Sequence, residues 1–350
     1  MEALKECFSR IPGLEIVAYE QSRAENEPEL YLKIRLRGKE QLIGVEARAQ
    51  GTPKSIRSSV NQLTLAIQKN PSIYGMVIAP FISPQSAQIC EAAGIGYLDL
   101  SGNCQIAFQE VYIHHENFPN RYPYKSEISS LYAPKSERVL RVLLTHPYRP
   151  WKTLELAQEA QVSSGMITHI RKKLDEQELI TSSSLGFQLV EPHRLLRDWS
   201  ENYSYRKNTI LEFYSLETVS DVEQKLGKYC DQSGIRYALT GFSAADRLAP
   251  MVRNQRVMVY LDQTSTHLLV TALNLKPVSS GANVNILNPY DEGVYWHTQR
   301  VAGIEVATPV QVYMDLVKNR GRGEEAAEFL YNEVLLKSWQ PKGPNTASFK

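Results

Sequence analysis

The chain has 350 residues, with 39 Lys and Arg against 38 Asp and Glu, and a formal net charge of +1. This length predicts two or three domains that each bury a core, and the near-neutral charge excludes a generally basic nucleic-acid-binding protein, so any positive surface must be local. No run of 18 apolar residues occurs, and the first dozen residues are typical of a helix rather than a signal peptide, so we expect a soluble, cytoplasmic protein with no membrane partner.

The cysteines and histidines give no sign of a metal site. The four cysteines are scattered without a CxxC pair, which excludes zinc-finger spacing and a disulfide framework: Cys7, Cys90, Cys104 and Cys230. His114 and His115 are adjacent on a predicted strand, where neighbours point to opposite faces. We therefore expect reduced core cysteines, no metal and no cofactor.

The first 115 residues predict an α/β sandwich, because alternating or apolar runs typical of strands are interleaved with apolar residues at helical spacing. The predicted strands and helices are Leu14–Glu20, Glu29–Arg37, Leu42–Ala49, Tyr74–Pro80, Gly96–Leu100 and Gln105–His114, with helices at Pro53–Lys69 and Ser83–Gly94.

This order of elements resembles the restriction-endonuclease-like PD-(D/E)XK fold. Its nuclease members use an Asp and the Glu of a second motif to hold magnesium, and a Lys to help activate water. The matching positions here are Glu29, Glu46 and Arg48, which would be the catalytic residues of a nuclease. Arginine stays protonated, so Arg48 cannot act as a base, although it can hold a phosphate.

The charged residues Glu29, Glu46 and Arg48 can also be explained without any catalytic role. If the hairpin turn centres on Gly38–Lys39, residues whose numbers sum to about 77 face each other. Glu29 then lies opposite Arg48, and Tyr31 lies opposite Glu46. A cross-strand ion pair is therefore the alternative to a metal-dependent site.

A linker is predicted over residues 116–134, which are rich in Tyr, Pro, Asn and Ser. The prolines within Phe118–Tyr124 restrict their predecessors and remove donors, so this stretch cannot form regular structure. We expect its aromatic and basic residues to pack against the next domain, with nucleic-acid contact as the alternative.

Residues 135–200 predict a winged helix-turn-helix. A helix at Ser136–Thr145 precedes a second at Thr153–Ala160, for which Thr153 supplies a capping hydroxyl, and a turn at Gln161 leads to a helix capped by Ser163 or Ser164. This third helix has one apolar face, and a hairpin with a Gly-containing turn follows over residues 181–190.

The segment resembles the winged-helix repressors of bacteria and archaea, in which the third helix enters the major groove and the hairpin is the wing. Those proteins have glycine where this chain has Gln161, and a left-handed residue other than glycine costs about 1 kcal/mol. The residues expected to bind double-stranded DNA are Ser164, Thr168, His169, Arg171 and Lys172 in the groove, and Ser182, Ser183 and Ser184 at the backbone or minor groove.

Two alternatives to DNA binding stay open for this segment. Winged helices also serve as protein-docking modules. The cationic run Arg171–Lys173 is followed by Asp175, Glu176 and Glu178, as on an ordinary solvated helix.

Residues 205–338 predict a third, α/β domain. A helix at Val219–Gln232 leads into a strand at Ile235–Thr240, a Gly-Ser turn, a short helix and a second strand at Arg256–Leu261. This arrangement resembles nucleotidyltransferase-like folds, whose enzymes hold two magnesium ions on paired carboxylates of the second strand. Only Asp262 is present here, so the pair is missing and we do not expect nucleotidyl transfer.

Several motifs in order give a more specific resemblance: Gly94–Asn103, Thr240–Ala245, Ser279–Asn285, Val306–Leu316 and Gly321–Ala327. Together they resemble the AbiEi-type antitoxin and transcriptional regulator family over about Glu29 to Leu336. The resemblance implies a winged helix that represses its own operon and a C-terminal region that counters a nucleotidyltransferase-like toxin in a type IV toxin–antitoxin pair. Arg320 and Arg322 either bind an acidic partner or belong to a helix N-terminus.

The sequence thus predicts an α/β multidomain protein: an endonuclease-like domain (1–115), a linker (116–134), a winged helix (135–200), a nucleotidyltransferase-like domain (205–338) and a disordered tail (339–350). The leading interpretation is a non-enzymatic, DNA-binding autorepressor and antitoxin whose oligomeric state is open. The alternatives are a DNA endonuclease of a defence or mobile element that uses magnesium, and a protein-interaction scaffold.

Overall fold

The computed structural model of the chain describes residues 8, 13–22, 27–36, 38–109, 111–122, 131–250, 256–319 and 322–340. The chain divides into two compact units, residues 1–127 with 172–178, and residues 128–171 with 179–350. The division at 127/128 falls inside the predicted linker, and the second and third predicted domains lie in the second unit apart from residues 172–178. Among the described residues, no helix is long and apolar enough to cross a membrane.

The first unit is built on a seven-stranded mixed sheet whose strands are neighbours in chain order. The middle pairs, β3–β4 and β4–β5, are parallel, and the outer pairs are antiparallel. The strands are β1 (Leu14–Gln21), β2 (Leu30–Leu36), β3 (Lys39–Ala47), β4 (Ile73–Ala79), β5 (Gly96–Asp99), β6 (Cys104–Phe108) and β7 (Val111–His115).

Two apolar layers lie on the two faces of this sheet. On one face pack helices α1 (Pro53–Lys69) and α2 (Pro84–Ala92), with Ile56 and Leu63 of α1 fully buried. On the other face Leu32, Ile34 and Ile43 form a second core, to which Phe8 contributes. Helix α1 connects the parallel strands β3 and β4, and α2 connects the parallel strands β4 and β5.

Two sequence-based predictions for this unit are wrong in detail. The single strand predicted at Gln105–His114 is a hairpin of β6 and β7, which turns at Gln109 with a φ of 49°. In the β2–β3 hairpin the facing residues sum to 75, since Leu36 pairs with Lys39, rather than to 77. Tyr31 therefore faces Gly44 and not Glu46.

The motif at Gly94–Asn103 closes the end of the sheet. The buried Asp99 carboxylate accepts hydrogen bonds from the main-chain N–H of Ile82, Gly102 and Asn103. The Asn103 side chain in turn exchanges hydrogen bonds with the main chain of Phe118. The first described part of the linker, residues 116–122, is thereby tied to the sheet.

Three helices and a hairpin follow in the predicted order, all in the second unit except residues 172–176 of the third helix, which belong to the first unit. Their bounds are α3 (Pro134–Thr145), α4 (Thr153–Glu159), α5 (Ser164–Glu176), β8 (Ile180–Ser183) and β9 (Gly186–Leu189), followed by α6 (Pro192–Asn202). The apolar face of α3 is fully buried, with Val139, Leu140 and Leu143 at 0% exposure.

A second seven-stranded mixed sheet forms the rest of this unit, in the order β13-β10-β14-β12-β11-β16-β15. Its strands are β10 (Thr209–Tyr214), β11 (Tyr237–Leu239), β12 (Val257–Leu261), β13 (Lys276–Pro277), β14 (Val284–Asn288), β15 (Gln299–Val301) and β16 (Ile304–Val306). The central strand β12 is buried along its whole length.

The helices that cover this sheet are α7 (Val219–Ser233), α8 (Gly241–Leu248), α9 (Gln263–Ala272), α10 (Pro309–Val317), α11 (Arg322–Leu330) and α12 (Leu336–Ser338), with 3-10 turns at Tyr205–Lys207 and Glu292–Tyr295 and a π-helical turn at Tyr331–Leu335. The predicted tail begins too early. Trp339 is 3% exposed and its indole N–H donates to the Leu144 carbonyl at 2.8 Å. Burial of an indole ring is favourable when its N–H has a hydrogen-bond acceptor. Residues 341–350 lie outside the described residues.

Candidate nucleic-acid interface

The turn between α4 and α5 takes a left-handed residue at the predicted position. Gln161 has a φ of 53°, and the Val162 N–H donates to the Ala157 carbonyl at 2.9 Å to close the turn. The Ser163 hydroxyl then accepts from the Met166 N–H at 3.3 Å, which caps α5. The cap of α4 differs from the prediction: Lys152 is its N-cap without a side-chain hydrogen bond, and Thr153 is the first helical residue.

Helix α5 separates into a buried and an exposed face. Ile167, Ile170 and Leu174 are at most 2% exposed. The exposed face carries the predicted groove residues, with one in the first turn and the others at following turns: Ser164, Thr168, His169 and Lys172. The helix therefore presents small and polar side chains near its start and a cation one turn further along.

Only part of the cationic run on α5 faces solvent. Lys172 is exposed, and its Nζ lies 3.8 Å from the Glu176 carboxylate, at the outer limit of an ion pair. Lys173, in contrast, is 5% exposed. Arg171 is half-buried, so Lys172 is the only one of these three cations that is fully exposed.

Arg171 connects α5 to the hairpin. Its guanidinium donates to the Ser182 hydroxyl at 3.0 Å and lies 5.3 Å from the centroid of the Phe187 ring. Because both contacts are to the hairpin, Arg171 holds the hairpin beside the exposed face of α5. Ser183 and Ser184 are exposed at the hairpin turn.

The hairpin is also anchored to the segment before α4. Trp151 and Phe187 exchange two main-chain hydrogen bonds, at 2.8 and 3.1 Å. A Cβ at Gly186 would clash with main-chain atoms, of which the nearest are the Trp151 carbonyl oxygen at 2.3 Å and the Trp151 carbonyl carbon at 2.7 Å. With a φ of 135° as well, this position requires glycine.

The three residues predicted as a nuclease site lie together in the first unit. Arg48 forms ion pairs with Glu29 at 2.8 Å and with Glu46 at 2.6 Å. Glu46 is fully buried, and burial raises its pKa while the Arg48 guanidinium opposes that rise. The predicted ion pair between Glu29 and Arg48 is thus present, although the strand register differs.

One guanidinium thus forms ion pairs with both carboxylates. A magnesium ion requires several oxygen ligands in octahedral geometry, and no group of three or more His, Cys, Asp or Glu side chains that could hold a metal occurs within the described ranges. Glu29 and Glu46 alone do not fit a magnesium centre while Arg48 lies between them.

Arg322 and Asp262 are the C-terminal candidates within the described residues. Arg320 lies outside the described residues, and Arg322 is the exposed first residue of α11, with Glu324 and Glu325 in the same turn. Asp262 is the N-cap of α9, where its carboxylate accepts from the Tyr295 hydroxyl at 3.4 Å.

The sequence reasoning missed a buried polar network in the second unit. The fully buried Asp315 accepts from Tyr203 at 2.6 Å and from Tyr260 at 2.8 Å, and Thr240 also donates to it. Burial raises the pKa of Asp315 and of both tyrosines. The sequence does contain a sign of this network, because Gln311 and Asp315 lie one helical turn apart within an apolar run. Two polar residues at this spacing in an apolar helix are typical of a buried polar network.

Two of the three comparisons with known proteins found a match. Residues 188–336 match the family model described as "Transcriptional regulator, AbiEi antitoxin, Type IV TA system". No curated protein matches the chain. A solved structure, "Structure of EndoMS in apo form", is similar at 13% identity and a TM-score of 0.22, and the match covers 28% of this chain and 44% of that one. Over residues 188–336, the chain is therefore similar to the family of AbiEi antitoxins and transcriptional regulators of type IV toxin–antitoxin systems.

Proposed function

We propose that the chain is a DNA-binding transcriptional regulator that binds its operator with α5 and the β8–β9 hairpin. The observation that carries this proposal is the exposed face of α5, where Ser164, Thr168, His169 and Lys172 share one side of the helix. Helices of about this length enter a major groove by their N-terminal residues. The family match over residues 188–336 supports a regulator.

Each exposed residue has a distinct role in this proposal. Ser164, Thr168 and His169 contact base edges, for which hydroxyl and imidazole groups can donate or accept. Lys172 contacts a phosphate as a point charge. Arg171 keeps its contacts with Ser182 and Phe187 and thereby positions the hairpin, whose Ser182, Ser183 and Ser184 contact the backbone or minor groove.

Lys172→Ala tests the helix assignment. We expect the variant to weaken binding to all duplexes and to lower the slope of log affinity against log salt by about 1. Lys228→Ala is the matched control, since Lys228 is also an exposed helical lysine. Equal binding by the parent and the Lys172 variant would exclude α5 as the DNA-contacting helix.

The proposal extends to the antitoxin role that the family description names. The C-terminal part, with Arg322 and Arg320, contacts a nucleotidyltransferase-like toxin. A direct test is to co-express the chain with a nucleotidyltransferase-like protein whose gene lies beside the gene of this chain. Growth rescue by the parent chain and its loss in Arg322→Glu support the contact, whereas no rescue by the parent excludes the antitoxin role toward that protein.

A DNA endonuclease is the second candidate, because Glu29, Glu46 and Arg48 converge at one place. It predicts cleavage that requires magnesium or manganese and disappears in Glu46→Ala. The ion pairs of Arg48 with Glu29 and Glu46 instead favour a domain that does not cleave DNA, in which the guanidinium neutralises both carboxylates. Cleavage by the parent that is lost in Glu46→Ala would establish the nuclease instead.

A further inference from the structure

The outer edge of β7 (Val111–His115) is open. β7 is the last strand of the first sheet, and its outer edge pairs with no strand of the described chain. Tyr112 is 69% exposed there, and Ile113 is half-buried beside the core of the sheet. An exposed strand edge offers unpaired N–H and C=O groups to another strand.

The opposite edge of the same sheet is protected. β1 carries Glu15 and Glu20, and its pairing with β2 shifts register between Ile16 and Ala18, as at a β-bulge. Charges and bulges are the devices that keep edge strands from associating. β7 has neither: its sequence is VYIHH, without Lys, Pro, Asp or Glu, and its register with β6 is regular.

The hairpin geometry decides which main-chain groups point outward. β6 and β7 are joined through two residues, with Phe108 and Val111 as the closing pair. Closing pairs of two-residue hairpins exchange both hydrogen bonds, and pairs then alternate along the ladder. Val111, Ile113 and His115 are therefore bonded to β6, and the main-chain groups of Tyr112 and His114 face away from the sheet.

We propose that β7 pairs antiparallel with β7 of a second copy of this chain, about a two-fold axis at Ile113. Tyr112 of each copy then faces His114 of the other, and the two residues exchange main-chain hydrogen bonds on both sides of the axis. The two Ile113 side chains face each other in the non-hydrogen-bonded pair at the centre.

The side chains of β7 suit this register. Tyr112 and His114 are both aromatic and already lie 6.3 Å apart between ring centroids within the strand, in an edge-to-face arrangement. Facing rings of this kind stabilise a cross-strand pair. On the other face, Ile113 is packed against the apolar core, so that pairing extends this core across the axis. No formal charges of like sign face each other within Val111–His115.

The exposed rings at the two sheet edges supply a matched test. Tyr112→Lys places a charge in each symmetric cross-strand pair, and Tyr19→Lys is its control, since Tyr19 is 61% exposed on β1. In sedimentation equilibrium of the full chain, we expect the parent and Tyr19→Lys to form dimers with the same dissociation constant. We expect Tyr112→Lys to raise that constant by about tenfold or more.

A cross-link tests the register. Facing residues of a non-hydrogen-bonded pair have Cα atoms about 4.5 Å apart, which a disulfide can span. In a Cys7→Ser background, Ile113→Cys should yield a covalent dimer on oxidation, and Tyr112→Cys should not, because the two copies of residue 112 lie diagonally, about 7–8 Å apart.

Three results would overturn the proposal: a parent chain that stays monomeric at every concentration, a dimer that Tyr112→Lys leaves unchanged, or efficient cross-linking through Tyr112→Cys instead of Ile113→Cys. None of these readouts involves DNA, so the outcome is independent of the proposed regulatory function.

Discussion

Arg141 donates two hydrogen bonds to the same oxygen of Gln311, at 3.1 and 2.6 Å, although 170 residues separate them along the chain. Arg141 belongs to α3, the first helix of the predicted winged helix, and Gln311 to α10 of the C-terminal sheet region. Both side chains are at most 2% exposed. The pair therefore ties the two predicted domains of the second unit into one buried network.

Breaking this pair on one side should be costly. Gln311→Leu leaves the buried Arg141 guanidinium with only the Glu137 carbonyl, at 3.5 Å, as acceptor. It also removes the hydrogen bonds that the Gln311 amide donates to Tyr203, Tyr260 and Asp315, so we expect the free energy of unfolding to fall by about 3–5 kcal/mol. In the double variant Arg141→Met/Gln311→Leu the charge is gone, so the loss should be smaller than the sum of the two single losses. Urea denaturation of the four proteins measures this, and strict additivity would show that the two residues do not interact.

The left-handed turn at Gln161 stores strain that glycine would relieve. Gln161→Gly should raise the free energy of unfolding by up to about 1 kcal/mol, because only glycine adopts a φ near 53° without cost. Gln158→Gly, on the exposed side of α4, is the control and should destabilise by about 1 kcal/mol. A neutral or destabilising Gln161→Gly would mean that the Gln161 side chain makes a stabilising contact.

His146 makes stability depend on pH. Its ring contacts Trp151, Trp296 and His297, and its burial, together with the nearby His297 and Arg149 side chains, lowers its pKa. The unfolded chain then binds a proton more readily than the folded chain, so stability is complete above the ordinary histidine pKa of about 6.5 and is lost as pH falls through the lowered value. Denaturation curves from neutral to mildly acidic pH should show a shallower decline for His146→Gln, and equal slopes would contradict this.

Substitutions at Gly165 on α5 should distinguish effects on stability from effects on DNA binding. A Cβ there would meet nothing within 4 Å, so Gly165→Ala should keep or raise stability, by up to about 1 kcal/mol. Because Gly165 lies between Ser164 and Thr168, which we propose to face the major groove, a larger side chain there should hinder close approach to DNA. We expect Gly165→Leu to bind operator DNA more weakly than the parent, with Gln232→Leu as an exposed helical control. Unchanged affinity would place Gly165 away from the DNA.

The sequence predicted local structure well where short-range patterns decide it. The helix at Pro53–Lys69 has the predicted bounds, because a Thr52 cap and a first-turn proline mark its start. The left-handed residue fell at Gln161 as expected. The hairpin at Gln109 was missed because its turn lacks the glycine or asparagine that usually marks one.

Long-range relations were harder to predict. The register of β2 and β3 differs by two from the prediction, because the turn is centred earlier than Gly38–Lys39. The contact of Arg141 with Gln311 depends on how α3 packs against α10, which no local pattern encodes. Arg171 was predicted to face DNA, yet its contact with Ser182 depends on where the hairpin returns.

The most direct test of the regulatory function is a binding titration with labelled duplex from the region upstream of the chain's own gene and with a scrambled duplex, at several salt concentrations and with magnesium present. The same samples are then run on a denaturing gel. We predict tighter binding to the upstream duplex, affinity that falls with salt, and intact strands. Equal binding to both duplexes or to neither would contradict operator recognition, and cut strands would contradict a non-enzymatic regulator.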